Sequence, residues 1–249
     1  MSTRGSLVAE LLRLGVRPGS KLCVHSSFKS LGYVEGGADT VINAMLELLG
    51  DDGTLMFPAF TFGLLNQSSP VFDYDDSPSC VGYLSERFRT TFAEGRSIHL
   101  SHSYSARGKN AAALLDHPEN VTPCGMDTPL GKLLVAGGDI LMLGCGMNTF
   151  TAAHVAEECA EVPYVKFKSV PDAQIRQNGA LRPLASRVVE PFSYDFERLR
   201  QPLIAAGAFR TGKIGESPAI LIAGKIMLDT TLRLLSIDPF FLFANPEQR

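Results

Sequence analysis

Lys21-Leu22-Cys23-Val24-His25, then a polar loop, then Ala38 to Leu49, then Thr54-Leu55-Met56-Phe57: this stretch decides the fold. Its outer pieces are short apolar runs that read as strands. The middle piece sets Val41, Ile42, Met45 and Leu48 at helical spacing. Gly36-Gly37 leads into the helix, and Asp51-Asp52-Gly53 turns the chain into the second strand.

The alternation continues outward in both directions. Upstream, Ser6 is expected to cap a helix whose Leu7, Leu11, Leu12 and Leu14 share a face, ending at Gly15. Arg17-Pro18-Gly19 is a turn. Downstream, a polar loop over 59–79 precedes a helix from Gly82 to Phe92 and a strand from Ser97 to Ala106. Pro129 to Val135 reads as a short helix with proline at an early position. Asp139 to Leu143 reads as a buried strand and Thr151 to Ala160 as a helix. Strands are expected at 163–168, 186–190 and 207–213, and helices near 194–205 and 225–235. Helices alternating with short apolar strands favour a layered α/β or α+β chain, helices packed on a central sheet. An antiparallel extension by the later strands would make that sheet mixed. No linker, repeat or low-complexity tract divides residues 1–249, so one domain is expected.

Composition narrows the function. Hydrophobic residues are 45% of the 249, and 23 Lys and Arg against 26 Asp and Glu leave a net charge of -3. That is too apolar for disorder, and it lacks the basic surplus of a nucleic-acid binder. The N-terminal apolar stretch carries Glu10 and Arg13 and reads as an amphipathic helix, not a signal peptide. No stretch is long and apolar enough to span a membrane. The 5 cysteines are an odd number and scattered without a C-x-x-C pair, which favours free thiols in a reducing cytoplasm.

Four segments offer chemistry. In 24–32 a strand end is followed by Ser26, Ser27, Lys29 and Ser30, and Gly36-Gly37 then opens a helix. Backbone N–H groups, a helix N-terminus and Lys29 suit a phosphate; a serine-rich connecting loop fits equally. The spacing is not that of a P-loop. In 96–106, His99 and His102 sit three apart, so on a strand they face opposite ways and share no metal. One is then a candidate general base and the other structural. In 143–158 a Gly144–Gly146 pair lacks the third glycine of a dinucleotide site. On the helix that follows, His154 shares a face with Glu157 and Glu158, which offers two metal ligands, a carboxylate that orients a histidine elsewhere, or a solvated face. In 122–132 a turn leads into a capped helix with no G-x-S-x-G elbow. Asp73, Asp75 and Asp76 provide either countercharge for a cationic substrate or ordinary turn residues.

The order of the segments adds what none carries alone. V-H-S-S-F-K-S-L-G (24–32), V-E-G-G-A-D-T-V-I-N-A-M-L (34–46), G-T-L-M-F-P-A-F-T-F (53–62), F-D-Y-D-D-S-P-S-C-V-G-Y-L-S-E-R-F-R (72–89), H-L-S-H-S-Y-S-A-R-G (99–108), D-T-P-L-G-K-L (127–133) and L-G-C-G-M-N-T-F-T-A-A-H-V-A-E-E (143–158) together resemble the aminoglycoside 3-N-acetyltransferase family. The resemblance runs from about residue 5 to residue 242. It implies a three-layer α/β/α-like domain and acetyl-coenzyme A as co-substrate, with no metal. It implies acetyl transfer to an amine of a cationic amino sugar.

Residue by residue, the resemblance implies coenzyme A contacts from Ser26, Ser27, Phe28, Lys29, Ser30, Leu31, Gly32 and Ser103. It implies His102 as general base oriented by Glu157, and substrate contacts from Asp73, Thr151 and His154. Leu100 replaces a proline of the histidine motif, Tyr104 replaces a valine, and Phe150 stands where asparagine is usual. The loop carrying Phe150 is expected on the substrate side, which leaves open a non-antibiotic amine or a coenzyme A-binding role. A metal-dependent hydrolase on His99, His102 and His154 is a further alternative, and the oligomeric state, a homodimer included, is left open.

Overall fold

The computed structural model describes residues 1–244. Helix α1 (Arg4–Leu14) is capped by Thr3, not Ser6: the Thr3 hydroxyl accepts the Ser6 N–H, and the Ser6 hydroxyl accepts the Thr3 N–H in return. Gly15 ends the helix at φ +114°, a conformation open to a residue without Cβ. Then follow β1 (Lys21–Ser26), α2 (Gly37–Leu49), β2 (Thr54–Pro58), β3 (Val71–Asp73), α3 (Tyr83–Thr91), β4 (Gly95–Arg96) and β5 (Tyr104–Gly108). The middle of the chain gives α4 (Ala111–Leu115), α5 (Pro129–Val135), β6 (Asp139–Leu143) and α6 (Ala152–Cys159). The last part gives β7 (Phe167–Ser169), β8 (Gln174–Gln177), β9 (Ala180–Pro183), β10 (Arg187–Val189), α7 (Arg200–Ala205), β11 (Phe209–Ile214), β12 (Ser217–Ala223) and α8 (Gly224–Ile237).

The central sheet is mixed, with strand order β11-β12-β6-β1-β2-β5-β4. β6, β1 and β2 run parallel, and the strands on both flanks are antiparallel to their neighbours. Alternation along the strands assigns the two faces. Leu22, Val24, Leu55, Phe57, Leu141 and Leu143 pack with α1, α2 and α3. Cys23, Met56, Ile140 and Met142 pack with α4, α5, α6, α7 and α8. Helices therefore cover both faces, as the three-layer α/β/α arrangement requires. Outside this sheet, β3, β8 and β9 form a small sheet over Phe72, Leu100, Ile175 and Leu184, and β10 pairs with β7.

One expected strand, Ser97 to Ala106, is there only in its last three residues. Ser97 to Ser103 folds as a closed turn between β4 and β5, which begins only at Tyr104. Ser97 N–H donates to Tyr104 O, and Ser97 Oγ accepts the Tyr104 N–H, so the turn is pinned at its neck. His99 Nδ1 accepts the backbone N–H groups of Ser101 and His102 within it. Polar side chains thus satisfy a buried backbone loop, and that polarity mimicked strand alternation. Of the segment 163–168, only Phe167 and Lys168 lie in a strand.

Candidate active site

The carboxyl ends of the parallel strands β1, β2 and β6 converge at one edge of the sheet. β1 lies between the other two, with α2 crossing one face and α5 leading into β6 from the other, so this is a switch point where open α/β sheets bind ligands. A cleft of about 450 Å³ opens there. β1 contributes His25 and Ser26, β2 contributes Pro58 with Phe60 and Phe62 beyond it, and the loop after β6 contributes Cys145, Asn148 and Thr149. Thr151 and His154 stand at the start of α6, and His102 reaches in from the turn. The far wall is the segment 189–196 after β10, with Glu190, Phe192, Tyr194 and Phe196.

His154 and Glu157 are separated by one helical turn, and their side chains meet: Nδ1 lies 2.5 Å from Oε2. Glu157 is fully buried. Its other oxygen accepts the Tyr164 hydroxyl at 2.6 Å, and burial next to this carboxylate raises the phenol pKa, so Tyr164 stays a donor. With a carboxylate on Nδ1, that nitrogen carries the hydrogen, and in the neutral ring the lone pair is the one on Nε2. Phe192, Tyr194 and Phe196 frame the imidazole with ring centroids at 5.6, 4.9 and 4.8 Å.

The pairing of Glu157 with His102 is therefore corrected. Both carboxylate oxygens are taken by His154 and Tyr164. His102 Nδ1 instead faces Ser101 Oγ at 2.8 Å, and its ring packs on Phe60 and Phe62 at 4.7 and 5.1 Å. Burial, with His99 and His154 nearby, holds the His102 pKa well below its ordinary value. His99 lies in the same turn with its ring 5.8 Å from that of His102, not on an opposite strand face. Its pKa is lowered to about 3 by burial, and its Nδ1 is spent on the backbone.

The serine-rich segment divides. Ser26 lines the cleft, and Ser26 Oγ and His25 Nε2 are buried there with no protein partner. Burial lowers the His25 pKa to about 4. Phe28–Leu31 is a single 3-10 turn. Phe28 packs on Tyr83 at 5.6 Å and Lys29 is exposed. Ser27 ties the loop to the sheet through its N–H to Leu143 O. The Ser30 hydroxyl is turned inward, to Ser27 O at 2.6 Å and Ser217 Oγ at 2.7 Å. Leu31 is a core side chain, and Gly32 ends the turn at φ +69° beside Glu216.

Three other positions named by the resemblance lie off the cleft lining. Ser103 is buried, donating to Ala59 O at 2.7 Å and accepting from Arg96 Nε at 3.1 Å, away from the cleft lining. Asp73 also lies outside that lining, its carboxylate paired with Arg176 at 3.1 Å. Phe150 is fully buried in the core beneath α6, so this departure lies in the packing and not on the substrate wall. Thr151 and His154 do line the cleft. Sequence reasoning passed over Tyr164 and the wall at 189–196, although the alternation Phe192-Ser193-Tyr194-Asp195-Phe196 was a signal for one aromatic face. Among the described residues no group of three or more His, Cys, Asp or Glu is arranged to hold a metal ion. None of the helices there is long and apolar enough to cross a membrane.

The family model for aminoglycoside 3-N-acetyltransferase matches residues 23–236. Aminoglycoside N(3)-acetyltransferase VIII of Streptomyces fradiae is 32% identical over 248 residues, 88% of this chain and 86% of the relative. Aminoglycoside N(3)-acetyltransferase IV of Salmonella sp is 31% identical over 98% of this chain and 91% of its own length. The crystal structure of aminoglycoside acetyltransferase AAC(3)-IVa as apoenzyme superposes with a TM-score of 0.85 at 29% identity, covering 99% of this chain and 93% of that one. The structure of AAC-IIIb in binary complex with coenzyme A superposes with a TM-score of 0.82 at 27% identity, covering 98% of each chain.

Proposed function

The chain belongs to the aminoglycoside 3-N-acetyltransferase family, and from that premise we propose that it transfers acetyl from acetyl-coenzyme A to an amino group of an aminoglycoside or related amine, with His154 as general base. The observation that carries this is the buried Glu157 carboxylate on His154 Nδ1 in the cleft at the ends of β1 and β6. The residues there fit the co-substrate. Ser26 Oγ and His25 Nε2 are buried polar atoms without protein partners at the cleft, suited to the amide groups of a pantetheine arm. Lys29 stands exposed in the 3-10 turn that follows, a cation able to pair with a pyrophosphate.

Acetyl-coenzyme A supplies an acetyl group on a thioester, which an unprotonated amine attacks, with coenzyme A leaving as its thiol. An ammonium has no lone pair for that attack. His154 Nε2 takes the proton from the attacking nitrogen as the C–N bond forms. The same proton is then available to the departing sulfur as the C–S bond breaks, so the imidazole ends neutral. Glu157 holds the tautomer that presents Nε2 and stabilises the imidazolium while it exists. Tyr164 fixes the carboxylate in turn. Burial opposes the cationic form of His102, and no carboxylate accompanies its ring as Glu157 accompanies that of His154. Its place is that of a neutral hydrogen-bonding group on the opposite wall.

The test is thiol release from acetyl-coenzyme A with a panel of amine acceptors, comparing the unaltered chain with His154→Ala and His102→Ala. The proposal expects near-complete loss in His154→Ala with coenzyme A binding retained. Full turnover in that variant removes His154 from the role, and absence of coenzyme A binding to the unaltered chain removes the reading altogether.

A further inference from the structure

Of the 5 cysteines, Cys145 alone lines the cleft. Cys23 and Cys124 are closed in the core, where burial pushes their thiols up. Cys80 and Cys159 are exposed but stand outside the lining. Cys145 is half-buried, on the turn that leaves β6. Leu143, the last residue of β6, pairs with Ser26 of β1. Gly144 then turns at φ +70°, with Ser30 Oγ in the space a Cβ would need. Cys145 thus follows directly on the strand partner of Ser26 and precedes, by the 3-10 turn Met147–Thr149, the helix that carries His154. The same wall holds buried polar atoms open to an occupant. His25 is only 6% exposed, and its Nε2, like Ser26 Oγ, has no protein partner although both residues line the cleft. Buried polar atoms of that kind call for a ligand to bond them.

Under the transferase reading, on which this inference rests, the sulfur of coenzyme A comes within reach of His154. It then shares a cleft of about 450 Å³ with Cys145 Sγ. Two thiols do not join without an oxidant, and a disulfide of coenzyme A is one. We propose that Cys145 is a site of covalent modification, forming a mixed disulfide with coenzyme A that closes the cleft to acetyl-coenzyme A. Cys145 gives up its proton to water, and its sulfur attacks one sulfur of coenzyme A disulfide. The new S–S bond forms as the old one breaks, and the second coenzyme A departs as a thiolate that takes up a proton. Cys145 is oxidised and one half of the reagent is reduced. Burial raises the Cys145 thiol pKa, and a hydrogen bond with the Thr149 side chain offsets part of that. Small dissolved disulfides therefore meet little thiolate, and the reaction depends on the cleft holding the coenzyme A half in place.

The experiment incubates the reduced, unaltered chain with coenzyme A disulfide and, separately, with glutathione disulfide at equal concentration. Intact mass and peptide mapping locate the adduct, and acetyl transfer is assayed before and after dithiothreitol. The peptide holding Cys145 should gain the mass of a coenzyme A less two hydrogens. This adduct should form about tenfold or more faster than the glutathione adduct, and excess acetyl-coenzyme A should slow it by a similar factor. Activity should fall in step with the adduct and return with dithiothreitol. Cys145→Ser should take up no coenzyme A at that peptide, whereas Cys80→Ser and Cys159→Ser should keep the Cys145 adduct. An adduct confined to Cys80 or Cys159, equal rates with the two disulfides, or modification of Cys145 without loss of activity overturns the inference. A chain that binds and turns over acetyl-coenzyme A but forms no adduct overturns it and leaves the transferase reading standing. A chain that does not bind coenzyme A overturns both.

Discussion

Glu157 reaches His154 across one turn of α6, Oε2 to Nδ1 at 2.5 Å, whereas His102 Nδ1 meets only the Ser101 hydroxyl, at 2.8 Å. His154→Ala should lower kcat by about 10²–10⁴-fold, the usual worth of a positioned general base. His102→Ala should cost less than about tenfold, chiefly through lost packing on Phe60 and Phe62. Single-turnover acetyl transfer at saturating acetyl-coenzyme A reads both. If the His102 variant is the more damaged, the base is His102 and the Glu157 contact is structural.

Glu157 receives two hydrogens, one from His154 Nδ1 and one from the Tyr164 hydroxyl. A glutamine has one oxygen to accept and an NH₂ that meets whichever donor is left. Glu157→Gln therefore forces His154 into the tautomer with Nε2 protonated, or breaks the Tyr164 bond. The expected loss in kcat is on the order of 10²–10⁴-fold with KM for acetyl-coenzyme A little changed. Tyr164→Phe leaves one carboxylate oxygen buried without its donor and should cost about 1–3 kcal/mol in urea unfolding. Unchanged kcat in Glu157→Gln would rule out tautomer control.

Phe150 takes no part in acceptor choice if its complete burial under α6 is its whole role. Phe150→Ala should then destabilise the fold by about 3–5 kcal/mol, the cost of a large aromatic cavity. Among molecules that remain folded, KM for the amine should stay within about twofold, since the buried ring does not itself line the cleft. A large KM shift would return this position to the substrate wall.

The fold was legible where periodicity is enforced by burial. β1, α2, β2 and β6 are buried on both faces or along one clean stripe, and their residues read as strand or helix without ambiguity. β12 escaped notice although it pairs on both sides. Pro218 lies within it, and the short apolar run Ile220-Leu221-Ile222 leads straight into α8 with no loop residue to mark its end. The Ser97–Ser103 turn escaped for the opposite reason, its polar residues being buried to satisfy backbone and not to alternate. Within the site, the spacing of His154 and Glu157 was readable, but their mutual contact was not preferred over a longer-range pair. The aromatic wall comes from a segment held at the cleft by long-range contacts, the pairing of β10 with β7 and the bridge of Tyr194 to Phe243.

Stability should fall on mild acidification through histidines that are folded in the neutral state. Burial lowers His25 to about 4 and His99 to about 3, from an ordinary value of 6.5. The unfolded chain thus takes up protons at both positions once pH drops below 6.5, while the folded chain does not. Their contribution is complete above that pH and declines below it, by about 1.4 kcal/mol per pH unit for each histidine. The decline levels off only near the folded values, and His102, lowered by the same burial, adds in the same direction. Urea unfolding between pH 7 and pH 5 follows the decline; His117, lowered by burial, adds to it, and Glu158 and Asp139, raised by burial, oppose it. His99→Asn keeps an acceptor for the Ser101 and His102 N–H groups but cannot titrate. It should reduce the slope by about 1.4 kcal/mol per pH unit. A slope unaltered by that substitution would mean that His99 is protonated as readily in the folded turn as in water, and would overturn the assignment of a buried neutral ring.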